Sequence, residues 1–345
     1  MENKLYDFAI IGQGIAGTLL VHFLLKEGKS VLVIDNDHHG SSSIIAAGIV
    51  NPITGKNFVK SWRINDFLPV AREVYDEISA LLHIQAYSEI NIVRALDNSE
   101  TENNWLARTA DPDVAEFMVQ DPDVSEFENK VNKAFGYGEF KGTLQVHLAD
   151  IIRAYKQVFI STNDYYAEIF EHHLLSTEPS SFIYKNHSFK EIIFCEGYKG
   201  QDNPFYQHVD FGPAKGEVLL VKIPGAGFRK MYKDKIFIVH LYDDMYWVGS
   251  GYEWDATDDL PTEQGRLKLT AQLDRILKIP YDIIDHKAAI RPTLHSRRPI
   301  IKLHPTIQGM YIFNGLGTKG ASISPFVARQ FAHYLVNKNP EDLIL

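Results

Sequence analysis

The segment from Phe8 to Asp35 reads FAIIGQGIAGTLLVHFLLKEGKSVLVID and predicts a strand, a glycine turn, an apolar helix and a second strand. Gly12, Gly14 and Gly17 have GxGxxG spacing, and Asp35 follows 23 positions after Gly12. This order is typical of a dinucleotide site, in which the turn lets backbone approach a pyrophosphate at a helix N-terminus. The acid then accepts a hydrogen bond from a ribose hydroxyl. The segment therefore predicts a nucleotide-binding βαβ unit.

Two alternatives bear on this motif. A plain βαβ unit without a ligand has the same strand and helix pattern, but here the flanking strands, the helix and the acid all have the expected spacing. The negative charge of Asp35 would repel a 2′-phosphate, which disfavours NADP as the ligand. A nucleotide without that phosphate is the favoured interpretation.

The composition is that of an ordinary globular protein. The 345 residues are 45% hydrophobic and 23% charged, and their number suits about two domains. The one cysteine, Cys195, excludes an intramolecular disulfide and suits a reducing compartment. The N-terminal apolar run carries fingerprint glycines and has no basic region before it, so it is not interpreted as a signal peptide. We expect a cytoplasmic protein that does not cross a membrane.

The charge balance argues against a nucleic-acid partner. The formal net charge is −9, which disfavours a polyanion. A local basic patch would have to come from the dense cluster Arg291, Arg297, Arg298 and Lys302. We expect a small-molecule partner and no binding of nucleic acid.

Further along the chain, the apolar residues follow helical periodicity in some segments and strand periodicity in others. Apolar periodicity predicts helices over 64–82, 144–159 and 262–277. Residues 191–197 predict a strand that returns to the nucleotide sheet, with Cys195 as a core residue. The segments 217–223, 235–241 and 246–251 predict an antiparallel sheet, and the strand 287–292 ends at Arg291.

Two glycine-rich stretches predict a close backbone approach to a ligand. Residues 40–52 are small and partly apolar, with Ser43 as a candidate donor to a phosphate or ring. Residues 314–320 read NGLGTKG and join a predicted strand to a long predicted helix, which gives a second helix N-terminus. The alternative for residues 40–52 is a flexible loop, and the alternative for residues 314–320 is helix packing without a ligand.

The chain resembles the D-amino-acid oxidase-like superfamily of FAD-dependent oxidoreductases, which includes glycine oxidase and sarcosine oxidase. The resemblance covers nearly the whole chain and rests on seven motifs: IGQGIAG with Asp35, SIIAAGIVNP, IIFCEGY, GPAKGEVLLV, WVGSGY, IRPTLHSRRPII and FNGLGTKGASISP. Within the superfamily, GLGTKGASISPFVA and VGSGYEWD are most similar to the FAD domain of the bacterial bifunctional tRNA 5-methylaminomethyl-2-thiouridine biosynthesis protein.

The resemblance implies FAD as the cofactor and a set of residues that bind it. Arg291 matches the family arginine that pairs with a substrate carboxylate, and an arginine paired with one of the many acids is the alternative. The implied FAD-binding residues are Gly12, Gly14, Ile15, Ala16, Gly17, Asp35, Ser43, Ala47, Gly48, Gly197, Gly315, Gly317, Thr318, Lys319 and Gly320.

The chain also departs from the family pattern. Many members have a Tyr on the substrate-side strand where this chain has Phe237, and a Pro where His240 falls. The expected phenolic donor is therefore absent, which leaves the substrate open. His240, His286 and His295 are candidates for polar contacts, with ordinary surface or core histidines as the alternative.

The predicted fold class is α/β, with a Rossmann-like FAD-binding domain and an inserted antiparallel-sheet substrate domain. The FAD domain is expected at 1–85, 140–212 and 287–345, and the substrate domain at 86–139 and 213–286. The predicted function is oxidation of the C–N bond of an amino acid or amine by hydride transfer to flavin N5, with dioxygen or another electron acceptor. The alternatives are an FAD-dependent tRNA wobble-uridine oxidase, a non-catalytic flavin-binding protein and an NAD-linked dehydrogenase.

Overall fold

The computed structural model describes residues 4–254 and 258–343. Asp255, the last residue of the VGSGYEWD motif, lies outside the described residues, as do the ends of the predicted FAD domain at 1–3 and 344–345. The described strands are β1 (Leu5–Ile11), β2 (Val31–Asp35), β3 (Ile49–Val50), β4 (Ile53–Thr54), β5 (Val59–Lys60), β6 (Tyr87–Glu89), β7 (Ile92–Leu96), β8 (Met118–Val119), β9 (Gly136–Phe140), β10 (Leu144–Val146), β11 (Tyr165–Ala167), β12 (Leu175–Glu178), β13 (Ser181–Tyr184), β14 (His187–Phe194), β15 (Ala214–Lys222), β16 (Met231–Lys233), β17 (Phe237–Tyr242), β18 (Met245–Gly249), β19 (Asp282–Arg291), β20 (Ile300–Leu303) and β21 (Met310–Asn314).

The helices account for most of the remaining regular structure. They are α1 (Ile15–Lys26), α2 (Ser42–Ile45), α3 (Ile64–Leu82), α4 (Ser99–Thr109), α5 (Leu148–Ser161), α6 (Glu263–Ile276) and α7 (Gly320–Asn337). No helix in the described part of the chain is both long enough and apolar enough to cross a bilayer.

The first sheet is built on parallel strands. β1 pairs in parallel with β2 and β14, β2 pairs onward with β11, and β14 pairs onward with β21. β12, β13 and β20 join this sheet in antiparallel pairs. β2 is buried at every residue, as expected for a parallel strand with both faces covered. The predicted strand, turn, helix and strand over 8–35 are confirmed.

The second sheet has the order β19-β15-β18-β17-β16-β7-β9-β8. Its pairs are antiparallel except for the parallel pair of β7 with β16. One face packs into the same apolar cluster as the first sheet and its helices, and the other face packs against α6. The two sheets together confirm the predicted α/β class.

The predicted helix over 144–159 is wrong at its start. Residues 144–146 form β10, which pairs with β3 and β6, and the helix begins only at Leu148. The apolar residues Leu144, Val146 and Leu148 fit a strand period of two as well as the edge of a helical pattern. Residues 144–146 form a strand because they pair with the backbones of β3 and β6, and this pairing is not visible in the local sequence.

The two sheets draw on different parts of the chain. Strands of the first sheet lie within 5–35, 165–194 and 300–314, and strands of the second lie within 92–140 and 214–291. β19 continues in the second sheet past residue 286, where the predicted substrate domain ends. The division into two domains stays a prediction.

Candidate functional site

A cavity of about 670 Å³ lies between the two sheets. Small-molecule sites usually occupy roughly 300–1,000 Å³. Gly17 and Gly315 do not line the cavity. The predicted site residues that do line it are Gly12, Gly14, Ile15, Ala16, Asp35, Ser43, Ala47, Gly48, Gly197, Arg291, Gly317, Thr318, Lys319 and Gly320.

The first glycine turn lies where β1 meets α1. Gly12 has a φ of 98°, and a Cβ there would lie 2.5 Å from the Cys195 carbonyl oxygen, so only glycine fits. A Cβ at Gly17 would lie 2.0 Å from the Gly12 carbonyl oxygen, which explains its role in packing. Gly14 faces the cavity, and its nearest neighbour would be Ser43 Oγ at 3.4 Å. The turn therefore exposes backbone to the cavity at Gly14.

Ser43 fixes the small-residue stretch to this helix N-terminus. Its Oγ accepts a hydrogen bond from the Ile15 backbone N–H at 3.1 Å. Helix geometry leaves the other first-turn N–H groups without intrahelical acceptors, and the helix dipole places partial positive charge there. This end of the cavity is therefore suited to an anionic group such as a pyrophosphate.

Asp35 lies at the end of β2 and is almost fully buried. Its Oδ1 accepts from the Gln13 backbone N–H at 2.8 Å, and its Oδ2 accepts from the Tyr165 hydroxyl at 3.2 Å. Burial by itself raises the pKa of Asp35, but hydrogen bonds from His38 and Gln13 outweigh it, and the pKa lies below the ordinary value. Asp35 is therefore ionised at neutral pH.

Gly48 brings the small-residue stretch against β10. Its φ is 70°, and a Cβ would lie 1.8 Å from the Val146 carbonyl oxygen. On the same stretch, the Trp247 indole Nε1 donates to the Ile45 carbonyl oxygen at 2.8 Å. The two contacts hold residues 45–48 between β10 and the second sheet.

The Gly48→Ala variant is expected to be less stable than a matched variant, Gly55→Ala. Both glycines have positive φ, which costs a non-glycine residue about 1–2 kcal/mol, but a Cβ at Gly55 would meet nothing within 4 Å. The clash with Val146 adds a further loss of about 1–3 kcal/mol to the free energy of unfolding. Urea unfolding measures both variants, and equal losses would contradict the close approach at Gly48.

The N-terminus of α7 also lies at the cavity wall, next to the N-terminus of α1, since a Cβ at Gly320 would lie 3.2 Å from Ile15 Cγ2. α7 begins at Gly320, directly after Lys319, and a Cβ at Gly315 would lie 2.8 Å from Leu294. The Lys319 ammonium has no hydrogen-bond partner among the described residues. Burial, and then the nearby Arg298, lowers the pKa of Lys319. An unpaired ammonium beside a helix N-terminus favours negative charge on the part of a ligand that lies next to it.

Arg291 ends β19 at the cavity wall, with its guanidinium over the Tyr252 ring at 4.3 Å from the centroid. Its Nη2 donates to Ser250 Oγ at 2.6 Å and to the Gly251 carbonyl oxygen at 3.1 Å, and its Nη1 donates to the Lys215 carbonyl oxygen at 3.2 Å. Burial lowers the pKa of Arg291 against an opposing effect of Tyr252, and a guanidinium remains charged at neutral pH.

The hydrogen-bond partners of Arg291 test the alternative interpretation, in which this arginine is a structural residue paired with an acid of the protein. Within residues 4–254 and 258–343, no carboxylate pairs with this guanidinium. A Cβ at Gly216 would lie 2.1 Å from Nη2, so Gly216 provides the space that the guanidinium occupies. Gly216 was not predicted as a site residue, although it belongs to the GPAKGEVLLV motif.

The rest of the wall is largely apolar. Phe237, Trp247 and Val218 line the cavity from the second sheet. The candidate histidines His240, His286 and His295 do not line it. The histidines that do are His38, His39 and His172. None of them was predicted as a site residue, because their strand ends and loops meet only in the folded chain.

Gly197 follows the C-terminal end of β14, beside a small polar cluster. Glu196 Oε1 lies 2.8 Å from His172 Nε2, and Glu196 Oε2 accepts from Asn203 Nδ2 at 2.7 Å. Cys195 is buried, and burial raises the pKa of its thiol. This fits the predicted role of Cys195 as a core residue.

The comparisons with known proteins identify the class. The model of the DAO family, the FAD dependent oxidoreductases, matches residues 7–334, so the chain belongs to this family. The protein is thus an FAD-dependent oxidoreductase, and the predicted resemblance, the cofactor and the enzyme class are confirmed. The greater likeness to the tRNA biosynthesis protein stays a prediction.

Several of the similar proteins are amino-acid or amine oxidases by name. The glycine oxidase of Bacillus licheniformis is 24% identical over 373 residues, covering 98% of this chain and 95% of the relative. The solved glycine oxidase of Bacillus cereus ATCC 14579 has a TM-score of 0.80 at 19% identity and covers 97% of this chain and 96% of its own. The iminodiacetate oxidase of Chelativorans sp. BNC1 has a TM-score of 0.78 at 20% identity, with coverage of 97% and 96%. The solved structures share the fold.

The cavity residues fit FAD. Glycine backbone at Gly14 faces the cavity beside a helix N-terminus, which suits a pyrophosphate, and the ionised Asp35 suits a ribose hydroxyl. Next to this helix N-terminus, Lys319 and the N-terminus of α7 suit the electron-rich pyrimidine side of a flavin. The individual roles of these residues stay predictions.

Proposed function

We propose that the protein oxidises the C–N bond of a small amino acid or amine that carries a carboxylate. The observation that carries this proposal is the charged Arg291 guanidinium at the wall of an apolar cavity, with no carboxylate partner in the described part of the chain. Guanidinium pairs with carboxylate through parallel charge-assisted hydrogen bonds. The names of the glycine oxidase and iminodiacetate oxidase relatives support an amino-acid-like substrate.

The arrangement of Arg291 defines what a substrate carboxylate must do on binding. Both terminal nitrogens already donate to protein oxygens, so a bidentate carboxylate has to replace Ser250 Oγ or the Gly251 carbonyl oxygen as an acceptor. A carboxylate is a stronger acceptor than either neutral group, which favours the exchange. Tyr252 keeps the guanidinium plane in place during it.

The chemistry divides between the cofactor and the chain. When bound, FAD supplies an acceptor for the hydride of the carbon next to the amine nitrogen. Arg291 would orient that carbon, Phe237 and Trp247 would exclude water, and Lys319 with the N-terminus of α7 would stabilise negative charge. This chemistry depends on orientation and on a dry site, so we assign no general base.

Reduction of the bound flavin under anaerobic conditions tests the proposal. One portion of the sample is first denatured, and chromatography should identify the cofactor that it releases as FAD. Amino acids are then mixed anaerobically with the holoenzyme, each beside its decarboxylated counterpart, such as glycine beside methylamine and sarcosine beside dimethylamine. We expect the visible absorbance band of the oxidised flavin to bleach with at least one carboxylate-bearing amine and far more slowly with its decarboxylated counterpart.

Two outcomes would overturn the proposal. If no amine or amino acid bleaches the flavin, the protein does not oxidise a C–N bond of these compounds. If both members of every pair bleach it equally, the substrate carboxylate is not recognised. Admission of air to the reduced enzyme then shows whether dioxygen, one of the expected electron acceptors, reoxidises the flavin.

A further inference from the structure

Lys233 lies beside the cavity wall, in a row of paired residues that crosses the second sheet. From one strand to the next, this row consists of Arg94, Lys233, Phe237, Gly249 and Val218. Residues paired across neighbouring strands have their side chains on the same face of the sheet. Because Val218 and Phe237 line the cavity, the side chains of Lys233 and Arg94 continue the same face outward from the wall.

The Lys233 ammonium is placed against the Phe237 ring. Its Nζ lies 4.5 Å from the ring centroid, within the range of a cation–π interaction. The ammonium donates a hydrogen bond to the Lys235 carbonyl oxygen at 2.8 Å. Within residues 4–254 and 258–343, no carboxylate forms an ion pair with Lys233. The partners of this cation are therefore a neutral carbonyl group and an aromatic ring that lines the cavity.

The surroundings of Lys233 disfavour its charge. Burial, and then the neighbouring Arg94 guanidinium, lowers the pKa of Lys233 to about 8, while Asp234 opposes these effects and Lys235 adds to them. The Asp234 carboxylate is itself paired with Arg275. Below about pH 8 the folded protein thus holds an ammonium where its charge lowers stability. A charged group that is kept at such a cost to stability indicates a function.

We infer that Lys233 is a positioning residue of the substrate cavity, whose ammonium holds the Phe237 ring in place as an apolar wall beside the substrate. Lys233 does not itself line the cavity, so it acts through the ring. The inference rests on the proposed function, because it concerns the binding of that substrate. The alternative is a structural role, in which the hydrogen bond to the Lys235 carbonyl only stabilises the turn between β16 and β17.

The test compares the wild-type holoenzyme with three single variants. Lys233→Met keeps most of the side-chain length and removes the charge, and Lys233→Arg keeps a cation that can lie over an aromatic ring. Lys235→Met is the matched control, because it removes an exposed cation of the same turn that pairs with Asp97. KM, kcat and FAD content are measured with the carboxylate-bearing amine that bleaches the wild-type flavin fastest, and urea unfolding gives the stability.

At neutral pH we expect Lys233→Met to raise KM about two- to tenfold, with kcat and FAD content close to wild type. Lys233→Arg should restore most of the affinity, and Lys235→Met should leave KM close to wild type. Phe237→Leu keeps an apolar side chain but removes the aromatic ring. In the Phe237→Leu background Lys233→Met should change KM no further, which would show that the ammonium acts through the ring.

The pH dependence gives a second readout of the Lys233 charge. Because the ammonium loses its proton near pH 8, the wild-type KM should approach the KM of Lys233→Met above that pH. The ratio of the two KM values cancels the titration of the substrate amine.

Stability should change with pH in the opposite sense. Since the pKa of Lys233 is lower in the folded protein than its ordinary value of 10.5, the unfolded chain binds more protons between about pH 8 and 10.5. The contribution of Lys233 to the free energy of unfolding therefore rises with pH over this range. Lys233→Met should resist urea better than the wild type at neutral pH, and this advantage should shrink as the pH rises.

Other results would overturn the inference. Wild-type KM in Lys233→Met at neutral pH would show that the ring does not depend on the ammonium, and a loss of stability in the same variant would assign Lys233 to the turn alone. An equal rise of KM in Lys235→Met would show a general effect of surface charge on the substrate. These results leave the proposed function in place, whereas a wild type that oxidises no amine would contradict the proposed function and the inference with it.

Discussion

Replacement of Arg291 by Met is expected to lower kcat/KM for a carboxylate-bearing substrate by roughly ten- to hundredfold or more. A hydrogen bond to a charged group contributes about 1.5–3 kcal/mol, and Met keeps the length of the side chain while it removes every donor. FAD content should stay at the wild-type level, because the proposed ligand of Arg291 is the substrate. Steady-state kinetics and the flavin absorbance of the purified variant measure the two effects.

The same variant should also lose some stability, since Arg291 joins β19 to residues 250–251 and to β15. The Ser250→Ala variant is the matched control. It removes the 2.6 Å hydrogen bond to the guanidinium but leaves the charge in place. Because Ser250→Ala frees a donor of Arg291 for the substrate, we expect it to retain or increase the preference for carboxylate-bearing over decarboxylated substrates, whereas Arg291→Met should abolish that preference.

The contrary results for Arg291 are specific. If Arg291→Met fails to fold while Ser250→Ala is normal, the guanidinium is a structural cross-link of the second sheet. If Arg291→Met folds, retains FAD and oxidises the carboxylate-bearing substrate at the wild-type rate, the substrate does not bind there.

Replacement of Gly14 by Val is expected to give a folded but colourless protein. Gly14 has a φ of −70°, which valine can adopt, so the backbone itself does not forbid the change. The branched side chain, however, would stand beside Ser43 in the cavity, where the pyrophosphate is expected to approach. A hydrogen bond to a charged group contributes about 1.5–3 kcal/mol, so loss of the backbone contacts with the pyrophosphate would weaken FAD binding by roughly ten- to hundredfold or more.

A graded series makes the Gly14 result interpretable. In Gly14→Ala the Cβ would lie 3.4 Å from Ser43 Oγ, so we expect a much smaller loss of FAD than in Gly14→Val. Far-UV circular dichroism should be close to wild type for both. A yellow Gly14→Val protein with wild-type FAD content would show that this turn does not approach the cofactor.

The local sequence was sufficient for the segment that begins the chain. Gly12 and Gly17 are required by contacts within one βαβ unit and its neighbour β14, so their spacing already indicates the turn. The alternation of strands in 214–251 likewise indicated an antiparallel sheet. The strand at 144–146 was missed because its partners β3 and β6 are distant in the sequence.

The sequence by itself determined the βαβ unit, the α/β class and the family, because these depend on local periodicity, on glycine spacing and on motifs. Only the tertiary structure decided which side chains share the cavity. His38 faces Asp35 because two left-handed residues turn the chain back, and Gly216 makes room for Arg291 because β15 pairs with β19. Neither contact leaves a periodic signal, since each depends on where a side chain points after distant strands have paired.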